Sequence, residues 1–179
     1  REDLSPVRSY KIRGAFNFLR KAVAKAGKGK IFVCASAGNH AQGFAFACRH
    51  FGVHGVVFMP VTTPHQKIEK TRIFGGEFIS IRLVGDIFDQ CYAAARQHVQ
   101  DNDGYMVPPF DHEDIIEGQA TVAAEIMDQL PDGTKPDIVV MPVGGGGLSA
   151  GLSGFLAGTV RKENFVFCEP EGAPSLKKS

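Results

Sequence analysis

Apolar residues recur along this chain at two alternating spacings. Over residues 13–26 the interval is helical, at Ala15, Phe18, Leu19 and Ala22, and Gly27 and Gly29 end the run. Residues 30–35 form a short β-rich segment, and 39–51 a second helix closed by Gly52. Residues 54–59 read as a strand. Thr63 is placed to cap the next helix, with Pro64 at its first position, running to about Phe74 and stopping at Gly75-Gly76. A strand over 77–84, a helix over 86–100 and a short strand over 105–107 follow, before Pro108-Pro109 breaks the chain. Residues 112–130 predict a helix interrupted near Gly118. Strand 137–141, helix 147–160 and strand 164–168 complete the pattern.

Strand and helix thus alternate regularly. Runs such as Ile138-Val139-Val140-Met141 are apolar throughout, the mark of strands buried on both faces. The fold class is therefore α/β, with open, mostly parallel sheets and helices on both faces. Ligands of such sheets bind at the carboxyl ends of the strands, which directs the search for a site.

Composition narrows the function. Twenty basic and 19 acidic residues give a net charge of +1, without the basic excess of a nucleic-acid binder. No apolar run reaches the roughly 18 residues of a membrane helix. No signal pattern opens the chain, and a cytoplasmic location is expected. The four cysteines, Cys34, Cys48, Cys91 and Cys168, fit no zinc or redox spacing and read as reduced core thiols. Glycine is 21 of 179 residues, well above the usual share of about 7%. The first residue is Arg1 rather than Met, and the chain is expected to be a fragment of a longer protein.

Three loops fall at strand ends or helix starts. In the first, Gly144, Gly145, Gly146 and Gly147 follow Pro142-Val143 and lead through Leu148 into a helix. Glycines at a helix N-terminus, where free N–H groups and the dipole favour an anion, suit a phosphate. No Walker lysine accompanies them. Gly145, Gly147 and Ala150 also satisfy a dinucleotide G-x-G-x-x-A fingerprint, with Glu169 placed for a ribose, so an NAD-binding domain stays open at this point. In the second loop, Ser36, Ala37, Gly38, Asn39 and His40 form either an ordinary helix cap or a carboxylate site built on backbone N–H groups. The third is Ser9-Tyr10-Lys11-Ile12-Arg13-Gly14-Ala15, where Lys11 is either an ordinary solvated surface charge or, from its place at a helix start, a lysine of lowered pKa able to act as a base.

Together the loops resemble the fold-type II pyridoxal-phosphate enzymes (tryptophan synthase β-like), and among them the threonine dehydratases, or threonine ammonia-lyases. Ser-x-Lys-Ile-Arg-Gly-Ala, Ser-x-Gly-Asn-His and the tetraglycine stand in that family's order. Pro109-Phe110-Asp111, Gly118-Gln119 and Glu169-Pro170 match as well, so the resemblance covers essentially the whole chain.

The resemblance implies that Lys11 carries pyridoxal 5′-phosphate covalently and acts as catalytic base. It implies that Gly144, Gly145, Gly146, Gly147 and Leu148 bind the phosphate, and that Asn39 meets the ring's 3′-oxygen. Ser36, Ala37, Gly38, Asn39 and His40 would hold the substrate carboxylate. It also implies a smaller domain over 31–118 inserted in a larger one made from 1–30 and 119–179, with the rest of the catalytic domain and any regulatory domain absent. The implied reaction is dehydration and deamination of L-threonine to 2-oxobutanoate and ammonia, the first step of isoleucine biosynthesis, in a homodimer or homotetramer. Serine dehydratase and serine racemase are the near alternatives. Serine racemases place an acid where Ser175 stands, so no metal site is expected. A NAD-binding domain or a non-catalytic ligand-binding fragment is the alternative from another class.

Overall fold

The computed structural model describes residues 1–178; Ser179, the last residue of the expected larger domain, lies outside them. The chain divides into two compact units, Arg1–Pro109 and Phe110–Ser179.

In the first unit, helix α1 (Lys11–Ala26) precedes strand β1 (Phe32–Ala35), helix α2 (Asn39–Phe51), strand β2 (Gly55–Met59) and helix α3 (His65–Gly75). Strand β3 (Ile79–Leu83), helix α4 (Phe88–Asp101) and strand β4 (Tyr105–Met106) follow. The four strands form one parallel sheet in the order β3-β2-β1-β4, with Phe32 opposite both Gly55 and Tyr105. β1 and β2 are buried at every position, as their unbroken apolar runs require. Val33, Ala35, Val56 and Phe58 pack against Cys91 and Ala95 of α4. On the opposite face α2 comes so close that a Cβ on Gly55 would lie 2.6 Å from Cys48 Sγ. Successive strands step outward to β2 and β3, then the chain crosses back to β4 on the far side of β1. The carboxyl ends of β1 and β4 are therefore the topological switch point, where doubly wound sheets bind ligands.

The second unit holds helix α5 (Glu113–Gln129), strand β5 (Val139–Pro142), helix α6 (Gly147–Leu156) and strand β6 (Phe165–Cys168). β5 and β6 pair in parallel, with Pro142 opposite Cys168. Ala123, Met141, Leu152, Leu156 and Val160 form the core.

The α/β alternation matches the sequence expectation element by element, except that the apolar run of residues 138–141 is not buried on both faces (Ile138 and Val140 are exposed), and with five local corrections. Lys11 belongs to α1 rather than preceding it. Pro64, not Thr63, holds the N-cap position of α3, because its extended ψ of 134° still lets its carbonyl accept from the amides of Lys67 and Ile68. Thr63 instead turns inward through its own N–H bond to Pro60 O. Helix α5 runs unbroken through Gly118: one interior glycine costs about 1 kcal/mol relative to alanine, which the rest of the helix absorbs. α6 stops at Leu156, where Ala157 leaves the helix with ψ 128° and Gly158 follows at φ +86°. Cys34, Cys48 and Cys91 are buried thiols, as expected, but Cys168 is exposed at the end of β6. Burial pushes the Cys34 and Cys48 thiols well up, so they stay protonated and inert.

Candidate functional site

The Ser-x-Lys motif forms a local latch. Ser9 Oγ accepts from Lys11 N at 3.3 Å, and Ser5 Oγ accepts from Ser9 N at 2.9 Å. Arg13 pairs with Glu2 through two bonds, at 2.8 and 2.7 Å, tying the leading segment to α1. The Lys11 side chain is half-buried, and its Nζ donates to Pro109 O at 2.7 Å. The same amine lies 5.5 Å from the centre of the Tyr10 ring. Desolvation lowers the amine's pKa, making the neutral, basic form easier to reach.

α1 carries Lys11 to this place because α2 lets it approach. A Cβ on Gly43 would lie 2.9 Å from Ile12 Cα and 3.1 Å from Lys11 C. Gly43 is thus the contact that seats the start of α1 against α2.

The Ser36–His40 loop leaves the end of β1. Ser36 Oγ accepts from Gly38 N at 3.2 Å, so its own hydroxyl proton remains available to a ligand. Gly38, rather than Ser36 or Asn39, is the N-cap of α2. Having no side chain, it cannot satisfy the first amides of the helix, those of Asn39, His40 and Ala41. Ala37 lies between them in the same turn, and the Asn39 side chain is exposed. His40 is buried, and its Nε2 meets Val107 O at 3.1 Å, donating as a neutral imidazole. Burial lowers its pKa to about 4, with the Lys11 charge acting in the same direction. The loops leaving β1 and β4 are thereby joined at the switch point: His40 holds Val107, and two residues on Pro109 receives Lys11.

In the second unit the tetraglycine leads into α6, as expected. Its four glycines have different physical reasons. A Cβ on Gly145 would fall 2.2 Å from the Phe110 ring, and one on Gly147 2.6 Å from Phe110 O. Gly146 is the N-cap of α6, with φ +81° in the left-handed region. Gly144 faces open space. The amides of Gly147 and Leu148 start α6 with no capping side chain on Gly146, which fits an anion there. Sequence reasoning missed Phe110, Val107 and Pro109 as builders of these loops. Two of them act through backbone carbonyls, which carry no residue signature.

The structure therefore brings Lys11 and the loop of Ser36, Ala37, Gly38, Asn39 and His40 together in one unit. It presents Gly144, Gly145, Gly146, Gly147 and Leu148 at a helix start in the other. Among the described residues no group of acidic, histidine and cysteine side chains could hold a metal ion, and no helix is long and apolar enough to cross a membrane.

L-threonine dehydratase biosynthetic IlvA of Mycobacterium bovis is 47% identical to this chain over 176 residues, covering 98% of the chain and 40% of the relative. The Bacillus subtilis protein of the same name is 42% identical over 179 residues, covering all of the chain and 42% of the relative. The solved structure of the processed form of threonine deaminase isoform 2 from Solanum lycopersicum superposes with a TM-score of 0.86 at 38% identity, over 98% of this chain and 47% of that one. The chain spans about two-fifths of the length of these curated relatives. The pattern of the family described as "Pyridoxal-phosphate dependent enzyme" matches residues 1–179, and with Lys11, the Ser36–His40 loop and the glycine-led helix set out as above, this chain belongs to that family.

Proposed function

We propose that the protein to which this chain belongs eliminates water from L-threonine and that the product, on taking up water and losing ammonia, gives 2-oxobutanoate, with pyridoxal 5′-phosphate attached at Lys11. The observation that carries this reading is the lysine amine itself: half-buried, depressed in pKa and aimed at Pro109 O beside a helix start whose first amides are free to bind a carboxylate. The names of the similar proteins support threonine as the substrate.

The residues fit the cofactor. Gly144, Gly145, Gly146, Gly147 and Leu148 offer backbone N–H groups to its phosphate, and the glycine-capped start of α6 supplies the positive end of a helix dipole. Asn39, exposed at the first turn of α2, would be the residue to meet the ring's 3′-oxygen when the cofactor is bound. When bound, the cofactor withdraws electrons from the substrate's Cα. The chain's own residues do the rest. The backbone amides of residues 36–40 and the Ser36 hydroxyl hold the substrate carboxylate, which fixes the direction of the Cα–H bond. Lys11 Nζ, easily neutral because it is desolvated, takes the Cα proton. His40 stays neutral and bound to Val107 O, contributing its backbone N–H while keeping the loop rigid.

The reading also takes residues 31–118 as a smaller domain inserted between 1–30 and 119–179, and the whole protein as a cytoplasmic dimer or tetramer acting in isoleucine synthesis. Lys11→Ala in the full-length protein tests its centre. Visible absorbance from bound cofactor should vanish after dialysis, and 2-oxobutanoate formation should fall by at least about 10²- to 10⁴-fold, the scale of a lost acid–base group. Retention of both in the variant overturns the assignment.

A further inference from the structure

We propose that the Ser175 hydroxyl and the Glu169 carboxylate form a clasp that sets the entrance of the glycine loop at Gly144, and that both are positioning residues for the cofactor's phosphate. The inference rests on the reading of residues 144–148 as the phosphate cradle.

The strand register brings the two segments together. β5 and β6 run in parallel, and Val143 N donates to Cys168 O at 2.9 Å, extending the pairing one residue beyond β5. The chain then leaves β5 into the glycine loop and β6 into residues 169–175, side by side. Ser175 Oγ lies 2.8 Å from Gly144 O and 2.9 Å from Glu169 Oε1. Its one hydroxyl proton is shared between two acceptors, a three-centre arrangement. The carboxylate is fixed in turn by the amides of Leu176 and Lys177, the latter at 3.1 Å. These backbone bonds, that from Leu176 first, hold the Glu169 carboxyl below its ordinary range and keep it ionised.

Gly144 needs such support more than its neighbours. Gly145 and Gly147 are wedged against Phe110, and Gly146 is set by its left-handed φ. Gly144 has nothing within 4 Å of where its Cβ would stand. Its carbonyl bond to Ser175 is the contact that fixes the peptide plane between Gly144 and Gly145. That plane also carries the Gly145 N–H, one of the donors assigned to the phosphate. Turning the carbonyl therefore turns the donor.

The test uses the full-length protein and compares binding of pyridoxal 5′-phosphate with binding of pyridoxal, which lacks the phosphate. Ser175→Ala should weaken pyridoxal 5′-phosphate roughly 3- to 10-fold, the equivalent of one hydrogen bond, and leave pyridoxal unchanged. Ser175→Thr, which keeps the hydroxyl, should restore the phosphate preference, and Glu169→Gln should lose part of it. Equal weakening of both ligands, or no weakening of either, overturns the clasp. Gly146→Ala separates this from the underlying reading. Loss of phosphate preference in Gly146→Ala with none in Ser175→Ala sinks the clasp alone. A Gly146→Ala protein that keeps the full preference removes the cradle, and the clasp with it.

Discussion

At the scale of single residues, the four consecutive glycines divide by what surrounds each. Gly145 faces the Phe110 ring with no room for a methyl group, while Gly144 faces open space. Gly145→Ala must displace that ring and should cost about 1–3 kcal/mol, as overpacking does. Gly144→Ala should stay within about 0.5 kcal/mol in the same urea titration. Equal midpoints for the two variants would contradict this account. The place of the glycine run, between an apolar strand and a helix start, was legible in the sequence. Which of them packing requires was not legible, since Phe110 lies 35 residues or so from the loop and nothing local links them.

At the scale of elements, the residues of the proposed site fall at helix starts. α1 presents Lys11, α2 the Ser36–His40 loop, and α6 the glycine loop. The apolar spacing located all three, and the bounds of α2 agree to the residue. What spacing does not reveal is how tightly two helices cross. Gly43 permits α1 and α2 to meet backbone to backbone at the turn that bears Lys11. Gly43→Ala pushes against Ile12 Cα and Lys11 C, which cannot rotate away as a side chain can. The expected cost is about 1–3 kcal/mol in stability and, on the proposed function, a fall of up to about 100-fold in 2-oxobutanoate formation by the full-length protein, since small misplacements of a reacting group are expensive. Denaturant midpoints and initial rates together check it; a stability loss with unchanged turnover would mean that the crossing does not position Lys11. The expected break at Gly118 failed for the opposite reason. Propensity penalises an interior glycine, but the burial of Ile115, Gly118, Gln119 and Ala123 holds α5 straight through it.

At the scale of the whole molecule, folding fixes the protonation of His40. Its imidazole is buried against Val107 O and titrates near 4 rather than 6.5. Between these values the unfolded chain binds a proton that the folded chain does not, so stability falls as pH drops through this window and rises as it is raised. The full difference amounts to about 3 kcal/mol. Chemical denaturation midpoints measured from pH 7 to pH 4 should show this loss, and His40→Gln should remove its share of the slope; identical slopes in the two proteins would count against it. Sequence by itself determined the α/β class, the order of strands and helices, and the three loops, because apolar periodicity and glycine placement are local and survive without knowledge of contacts. Tertiary structure alone decided the strand order β3-β2-β1-β4, which places the Ser36–His40 loop beside the Pro109 carbonyl that receives Lys11. It alone decided that Phe110 and Ser175 hold the glycine loop. These are contacts between residues distant in the chain, made through carbonyls, ring faces and one shared hydroxyl proton, and only the folded chain brings such groups within reach.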